Sequence, residues 1–247
     1  KGLVPVKEPF AKLRHQGMIL GPNGEKMSKS KGNVINPDDM VKEYGADSLR
    51  LYEMFMGPID SAKPWDPNGI DGSKKFLDRV WRLFVESNKI KDEENKNLEK
   101  VYNFTIKKVT NDYETMNFNT AISQMMIFVN TVSKEDVLPR KYAEDFLKLL
   151  NPIAPHITEE LWNILGHNDS IAYEPWPKYD ESKIIDEEKE LPVQINGKLK
   201  TTVMIALNED ESSIKAKVHE AISDKLDGKS IIKEIYVKNK IYNVVVK

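Results

Sequence analysis

The central hundred residues repeat one pattern, in which apolar side chains recur at the three- and four-residue spacing of an amphipathic helix. The pattern fills four long segments and a shorter one after Pro155. Each such helix has one apolar face, which must be buried against its neighbours. Residues 73–172 are therefore predicted to form an antiparallel helical bundle. Its methionine and aromatic stripes are interpreted as core. The predicted core residues are Phe76, Val80, Leu83, Phe84, Leu98, Val101, Tyr102, Thr105, Val109, Ile122, Met125, Met126, Val129, Phe146, Leu149, Leu150, Ile157, Leu161, Trp162 and Leu165.

Beyond residue 190 the hydrophobic period changes from 3.6 to 2, which is the period of β-strands. Asn196-Gly197 separates two alternating segments, 191–195 and 198–207, and this pair favours a type I′ hairpin turn. A helix is predicted from about Ser212 to Leu226, closed by Asp227-Gly228, and strands at 231–237 and 242–246. The order β-β-α-β-β predicts a small α+β domain over residues 191–247.

Residues 1–72 are rich in turn-forming residues and are predicted to carry two short helices. Asn36 followed by Pro37 indicates a helix start, and Gly45 ends that helix. The second helix is predicted from about Asp47 to Met56. Residues 173–190 are Pro-rich and charged, with an acidic run at 186–190, and are predicted to be a linker. The fold class is thus mainly α, with a small α+β domain at its end.

Composition excludes several classes of protein. The 247 residues contain no cysteine, which excludes zinc fingers, disulfide frameworks and thiol nucleophiles. No apolar run approaches the roughly 20 residues of a membrane span, and the first residues do not resemble a signal peptide. We therefore expect no membrane partner and a cytoplasmic location.

The net charge of −2 conceals a mildly basic tail. From Leu191 onward there are ten lysines against seven acidic residues. These lysines are candidate contacts for nucleic-acid phosphates, and solubilising surface charge is the alternative interpretation. The lysines singled out are Lys198, Lys200, Lys233, Lys238 and Lys240.

The segment with the clearest chemistry is Lys26-Met27-Ser28-Lys29-Ser30, followed by Lys31-Gly32. Three lysines, two hydroxyls and flanking glycines suit a polyphosphate, because ammonium groups attract phosphate oxygens and glycines allow close backbone approach. Such a loop could stabilise charge on a pyrophosphate leaving group without any nucleophile. From composition alone, a solvated surface loop is the simpler interpretation.

The amino-acid sequence of this segment, KMSKS, resembles the second signature of the class I aminoacyl-tRNA synthetases. The resemblance continues without a gap through GNVINPDDMVKEYGADSLRLYEMFMGP and covers essentially the whole chain. Within the class the chain is most similar to the bacterial leucyl enzymes, in Lys31 after the signature, in the run 51–58 and in LPVQINGKLKTTVMI at 191–205. Isoleucyl and valyl enzymes are the alternative, and the absence of cysteine argues against zinc-bearing isoleucyl modules.

The resemblance implies an ATP site formed by Lys26, Met27, Ser28, Lys29 and Ser30. Lys26 and Lys29 are implied to serve the adenylation transition state, with Lys29 the first candidate for the phosphates and Met27 packing the loop against the core. ATP would be a substrate carrying magnesium, and no metal is expected to be bound by this chain. The bundle and the C-terminal domain would hold leucine tRNA, with the five tail lysines as candidate contacts.

Residues 44–47 resemble a structural connector, for which an N-cap role of Asp47 is expected. The protein is expected to be a monomer.

The other class I signature, His-x-Gly-His, does not occur among the four histidines, His15, His156, His167 and His219. His156 begins a predicted helix and is expected to cap or pack there. An inserted editing domain is not found in the sequence either. The expectation is therefore the C-terminal part of a leucine-tRNA ligase, starting just before the KMSKS signature and inactive alone. A stand-alone RNA-binding module without catalytic activity is the alternative.

Overall fold

The computed structural model describes residues 2–8, 10–184, 188–206, 209–226, 228 and 230–247. Part of the acidic run at 186–190, the predicted strand end Leu207 and the predicted helix stop Asp227 lie outside the described residues. The chain divides into two compact units, one up to Glu181 and one from Ser182. The division falls inside the segment predicted as a linker. The further predicted boundary, between residues 1–72 and 73–172, remains a prediction.

The first part of the larger unit is built from short elements. Strand β1 (Ile19–Leu20) pairs in parallel with β2 (Lys63–Pro64), and two helices lie between them in the chain, α1 (Pro37–Tyr44) and α2 (Ala46–Phe55). As the sequence predicts, Asn36 caps α1, because its side chain accepts the backbone N–H of Asp38 at 3.2 Å. A small core of Leu49, Tyr52, Trp65 and Ile70 holds these elements together.

The predicted helical bundle is confirmed. Its helices enclose one continuous core that includes Phe76, Leu98, Ile122, Phe146 and Leu161. A π-helical turn, Arg82–Glu86, extends the first bundle helix, and β3 (Ile90–Lys91) pairs in parallel with β4 (Leu138–Pro139). The bundle helices are α3 (Pro67–Trp81), α4 (Lys96–Glu114), α5 (Phe118–Val132), α6 (Arg140–Leu150) and α7 (Pro155–Ile164).

The beginning of the predicted linker is attached to the bundle. Trp176 donates its indole N–H to Thr110 at 2.8 Å, and the backbone N–H of Asp180 donates to Asn103 at 2.8 Å. Both acceptors belong to α4. Residues 174–180 therefore cover α4 before the chain reaches the second unit.

The second unit has the predicted β-β-α-β-β order. Strands β5 (Glu188–Ile195) and β6 (Lys198–Ala206) precede α8 (Glu211–Ile222), which β7 (Ile231–Val237) and β8 (Ile241–Val246) follow. The sheet order is β6-β5-β8-β7, with β5 parallel to β8 and the outer pairs antiparallel. Ile214, Val218 and Ile222 of α8 pack on the sheet core. The helix ends four residues before the predicted Leu226, with a 3-10 turn at 223–225.

Candidate functional site

The KMSKS loop lies between β1 and α1, and a tight turn leads into it. The backbone N–H of Gly21 donates to the carbonyl of Glu25 at 2.8 Å, and that of Gly24 donates to the carbonyl of Gly21 at 2.8 Å. Gly24 has φ +74°, a conformation that glycine adopts without steric cost. The turn therefore presents Lys26 immediately after the chain has reversed direction.

Ser28 and Asn33 fix the backbone of the loop. Residues 29–31 form a 3-10 turn, capped by the hydroxyl of Ser28, which accepts the N–H of Lys31 at 3.3 Å. The side chain of Asn33 spans the loop, since its Oδ1 accepts the N–H of Ser28 at 2.8 Å and its Nδ2 donates to the carbonyl of Lys26 at 3.3 Å. Sequence reasoning missed this role of Asn33, for which its place in a Gly-Asn turn was the available signal.

The three lysines of the loop differ in their partners. Lys31 forms an ion pair with Glu25 at 2.8 Å. The side chains of Lys26 and Lys29 are exposed, and no carboxylate in the described parts of the chain lies within 4.0 Å of either ammonium group. The hydroxyls of Ser28 and Ser30 lie 3.1 Å apart. The loop thus offers two unneutralised cations beside two hydroxyls, an arrangement that suits an anion with several oxygens.

Met27 attaches the loop to the protein, as the sequence predicts. Its side chain is half-buried and packs with Ile35 and Met40 against the small core around Trp65. A cavity of about 170 Å³ lies beneath the loop, and its lining includes Met27, Trp65 and Glu53. Burial raises the pKa of the Glu53 carboxyl, with Arg50 opposing the rise.

The connector helix α2 is joined to the bundle by polar contacts. Asp47 accepts hydrogen bonds from the backbone N–H of His156 at 3.3 Å and of Ile157 at 2.7 Å. Arg50 donates to the carbonyls of Pro152 at 2.9 Å and Ile153 at 3.0 Å. The expected capping role of Asp47 therefore exists, but it acts on α7, while Gly45 stands at the N-cap of α2.

Three of the four histidines, His156, His167 and His219, make contacts with other side chains. The ring of His156 is exposed and lies 2.8 Å from Asp47, so this residue at the start of α7 contacts the capping carboxylate and is not packed in the core. His167 stacks on Trp162 with ring centroids 3.7 Å apart and contacts Glu144 at 2.9 Å. His219 contacts Glu234.

The five lysines predicted as RNA contacts do not form one patch. Lys198 starts β6, at one edge of the sheet, and lies opposite Ile195. Lys233 lies at the same end of the sheet on β7, which is the other edge, so three strand spacings of about 4.8 Å separate the two strands.

Lys238 and Lys240 lie within the β7–β8 turn, which is at the opposite end of the sheet from the β5–β6 turn. Lys200 follows Lys198 on β6. The structure therefore brings Lys198 and Lys200 together in one place and Lys238 and Lys240 in another.

Two protein families match this sequence. Residues 95–218 match the anticodon-binding domain of tRNA ligase, which is about half of the chain. Residues 4–66, which contain the KMSKS loop, match the class I tRNA synthetases of the I, L, M and V group. The resemblance predicted from the signature and the connector is thereby confirmed.

A solved structure resembles the chain along nearly its whole length. It is an Agrobacterium radiobacter LeuRS, crystallised in a ternary complex with tRNA and LeuAMS, with 34% sequence identity and a TM-score of 0.79. The match covers 98% of this chain and 34% of that protein, so the chain spans about a third of its relative's length. Taken with the two family matches, this likeness shows that the chain belongs to the class I tRNA synthetases and carries the anticodon-binding domain of a tRNA ligase.

Proposed function

We propose that this chain is the part of a leucine-tRNA ligase that contributes the KMSKS loop and tRNA-binding surfaces. The proposed reaction is ATP-dependent activation of leucine, followed by its transfer to leucine tRNA. The observation that carries the proposal is the loop itself, in which Lys26 and Lys29 are exposed and unneutralised while Lys31 is paired with Glu25. The likeness to a LeuRS, together with Lys31 and the leucyl-like tail, supports leucine over isoleucine or valine.

In this proposal, ATP binds as a substrate with magnesium on its phosphates. Lys29 and Lys26 would face the phosphate oxygens, and the hydroxyls of Ser28 and Ser30 would add hydrogen bonds. A positioned cation stabilises the negative charge that develops on departing pyrophosphate, and it needs no covalent intermediate. The fixed backbone between Ser28 and Asn33 would hold the cations in place.

The test compares two lysines of one loop in the full-length protein. Lys29→Ala is expected to lower leucine-dependent ATP–pyrophosphate exchange about 100-fold or more, a typical cost of losing one group that stabilises a transition state. Lys31→Ala is the matched control and should cost less than about tenfold, because its charge is already neutralised by Glu25. Equal losses would contradict the assignment. Exchange driven by isoleucine or valine in place of leucine would favour the alternative enzymes.

The 247-residue polypeptide alone is proposed to be unable to activate leucine, because its sequence contains one class I signature and no His-x-Gly-His. Leucine-dependent exchange by this polypeptide would overturn that proposal. A cytoplasmic location and a monomeric state are part of the same proposal and are supported by the family resemblance. None of the helices in the described ranges is both long and apolar enough to span a bilayer.

For tRNA, we propose that Lys198 and Lys200 contact backbone phosphates, with Lys233, Lys238 and Lys240 as further candidates. Replacing Lys198 and Lys200 by alanine should weaken tRNA binding and flatten its salt dependence by about one unit per lost contact. The pair Lys238 and Lys240 lies at the other end of the sheet, so its effect should add independently. An unchanged salt slope would identify these lysines as surface charge.

A further inference from the structure

A second basic site lies on the helical bundle, far along the chain from the KMSKS loop. It is a hollow of about 220 Å³, formed where the π-helical extension of α3, the following loop and the end of α5 meet. We call it the basic hollow. It is lined by Arg79, Arg82, Leu83, Ser87, Lys89 and Ser133.

Neutral oxygen atoms hold all three cations of the basic hollow in place. Arg79 donates from Nη1 to the side-chain oxygen of Asn130 at 2.6 Å, and Arg82 donates from Nε to the carbonyl of Asp78 at 3.3 Å. Lys89 donates to the carbonyl of Ser133 at 2.8 Å. These bonds orient the side chains without cancelling their charge, and they leave most of the guanidinium donors unused.

Several other cationic side chains of the bundle are paired with carboxylates. Lys74, Lys108, Lys141 and Arg140 each have a carboxylate within 3.4 Å. In the described parts of the chain, no carboxylate lies within 4.0 Å of the charged atoms of Arg79, Arg82 or Lys89. Three converging cations without counterions raise the local potential and favour an anion.

Two carboxylates close in the chain to the lining residues are already engaged. Asp78 pairs with Lys74 at 2.6 Å. Glu135 accepts hydrogen bonds from Asn95 at 3.0 Å and Asn97 at 3.2 Å, which, with the charge of Lys89, lower its pKa. Asp78 and Glu135 are therefore bound to other groups and are not counterions of the basic hollow.

The chemistry of the lining selects a phosphate group. The guanidinium fork matches two phosphate oxygens at once, and Lys89 adds a point charge. The hydroxyls of Ser87 and Ser133 donate to the helix carbonyls of Leu83 and Val129, so the free donors of the hollow are cationic. Arg79 and Arg82 are exposed, which allows a phosphate within a polymer backbone to approach.

We propose that the basic hollow binds a backbone phosphate of tRNA, at a contact separate from the lysines of the second unit. This inference rests on the proposed function, in which tRNA is the partner of the chain. The segment that matches the anticodon-binding domain begins at residue 95, so it contains the α5 side of the hollow, with Ser133 and the Asn130 that accepts from Arg79, while the three cations precede it. A backbone contact adds affinity in any sequence context.

The test measures binding of a leucine tRNA transcript by the 247-residue chain over a range of salt concentrations. The double variant Arg79→Gln/Arg82→Gln is expected to bind about tenfold more weakly or worse, and its plot of log affinity against log salt should be less steep by about 0.7–0.9 per lost phosphate. The single variant Arg82→Gln, whose described bond is made to its own helix, should show part of the same change. The control is Lys75→Ala, an exposed cation of α3 outside the hollow, which should leave affinity and slope near those of the unaltered chain.

The outcomes are distinct. If the unaltered chain binds tRNA and the Arg variants match the Lys75 control, the basic hollow is not an RNA contact, although the proposed function stands. No binding of tRNA by the unaltered chain would overturn both. Binding of inorganic phosphate that the Arg variants lose, with no change in their tRNA salt slope, would make the hollow a small-anion site and overturn the RNA contact.

Discussion

The carboxylate of Asp47 accepts the backbone N–H of Ile157 at 2.7 Å, although 110 residues separate the two in the chain. The second oxygen accepts the N–H of His156 at 3.3 Å and lies 2.8 Å from its ring. One buried side chain thus joins the connector after the KMSKS loop to the first turn of α7, where backbone N–H groups lack intrahelical partners. The same carboxylate therefore holds α2 against the start of α7.

Asp47→Ala is expected to lower the free energy of unfolding by about 1–2 kcal/mol, because the first turn of α7 loses its acceptor. Asp47→Asn should cost less, since the amide oxygen still accepts. Chemical denaturation followed by tryptophan fluorescence measures this, as all four tryptophans precede residue 177. Asp39→Ala, an exposed first-turn residue of α1, is the control and should stay within about 0.5 kcal/mol. Equal effects of the two alanine variants would contradict the capping role.

Asn33→Ala should loosen the KMSKS loop without unfolding the protein. The substitution removes both the acceptor for the N–H of Ser28 and the donor to the carbonyl of Lys26. Amide hydrogen exchange is expected to accelerate at Ser28 and to stay unchanged in α4. Asn23→Ala, in the exposed turn before the loop, is the matched control. Unchanged protection of Ser28 would mean that the 3-10 turn holds the loop without Asn33.

Substitution by alanine is expected to have opposite effects on stability at Gly17 and at Gly72. A methyl group at Gly17 would lie 2.0 Å from the backbone oxygen of Ser61, whereas at Gly72 it meets nothing within 4 Å. Gly17→Ala should therefore destabilise by about 1–3 kcal/mol. Gly72→Ala, within α3, should stabilise by about 0.5–1 kcal/mol, because alanine favours the helix.

Hydrogen exchange locates the effect of Gly17→Ala. The N–H groups of Lys63 and Trp65 donate to the carbonyls of Met18 and Leu20, and they should lose protection when β1 moves away from β2. Retained protection at both amides would show that the backbone absorbs the methyl group elsewhere.

Local features of the fold could be predicted because their causes lie within a few residues. The side chain of Asn36 caps the next turn, and Asn196-Gly197 adopts φ values of +50° and +79°, as a type I′ turn requires. The bundle could be predicted from the spacing of its apolar residues, and the KMSKS loop from its sequence motif.

Features that depend on distant residues could not be predicted. Nothing near Asp47 indicates that it caps a helix 110 residues away. Even over a short distance, the turn geometry decides that Glu25 pairs with Lys31 and not with Lys29. The basic hollow joins α3 to the end of α5, about 50 residues apart, so its charges do not form a run in the sequence. For the same reason, Lys233 lies near Lys238 and Lys240 in the sequence, but the sheet places it at the same end as Lys198.

Glu209 should make the second unit sensitive to acid. Its carboxylate accepts hydrogen bonds from Lys217, Ser213 and the N–H of Ala206, and these lower its pKa from 4.5 to about 2. Because the folded unit holds fewer protons than the unfolded chain in this window, its stability is complete above pH 4.5 and declines as the pH falls towards 2.

Glu209→Gln should flatten this acid dependence, while Glu220→Gln, on the exposed side of α8, should leave it unchanged. The second unit has no tryptophan, so amide exchange in β5, β6 and β8 is the suitable measurement. An equally steep loss of protection in the Glu209 variant below pH 4.5 would assign the acid sensitivity to other carboxylates.

Tyr102 and Tyr113 offer a comparison of charged and neutral acceptors within one core. The hydroxyl of Tyr102 donates to the buried carboxylate of Asp145 at 2.6 Å, while that of Tyr113 donates to the carbonyl of Leu149 at 2.8 Å. A hydrogen bond to a charged group contributes more than one to a neutral group, so Tyr102→Phe should cost about 1.5–3 kcal/mol and Tyr113→Phe about 0.5–1.5 kcal/mol. Both substitutions keep the ring, so the packing terms cancel in the comparison. Urea denaturation of the two variants beside Tyr173→Phe, whose side chain is 91% exposed, measures the difference. Equal costs would mean that Lys141, which lies 3.1 Å from Asp145, satisfies the carboxylate once the tyrosine hydroxyl is gone.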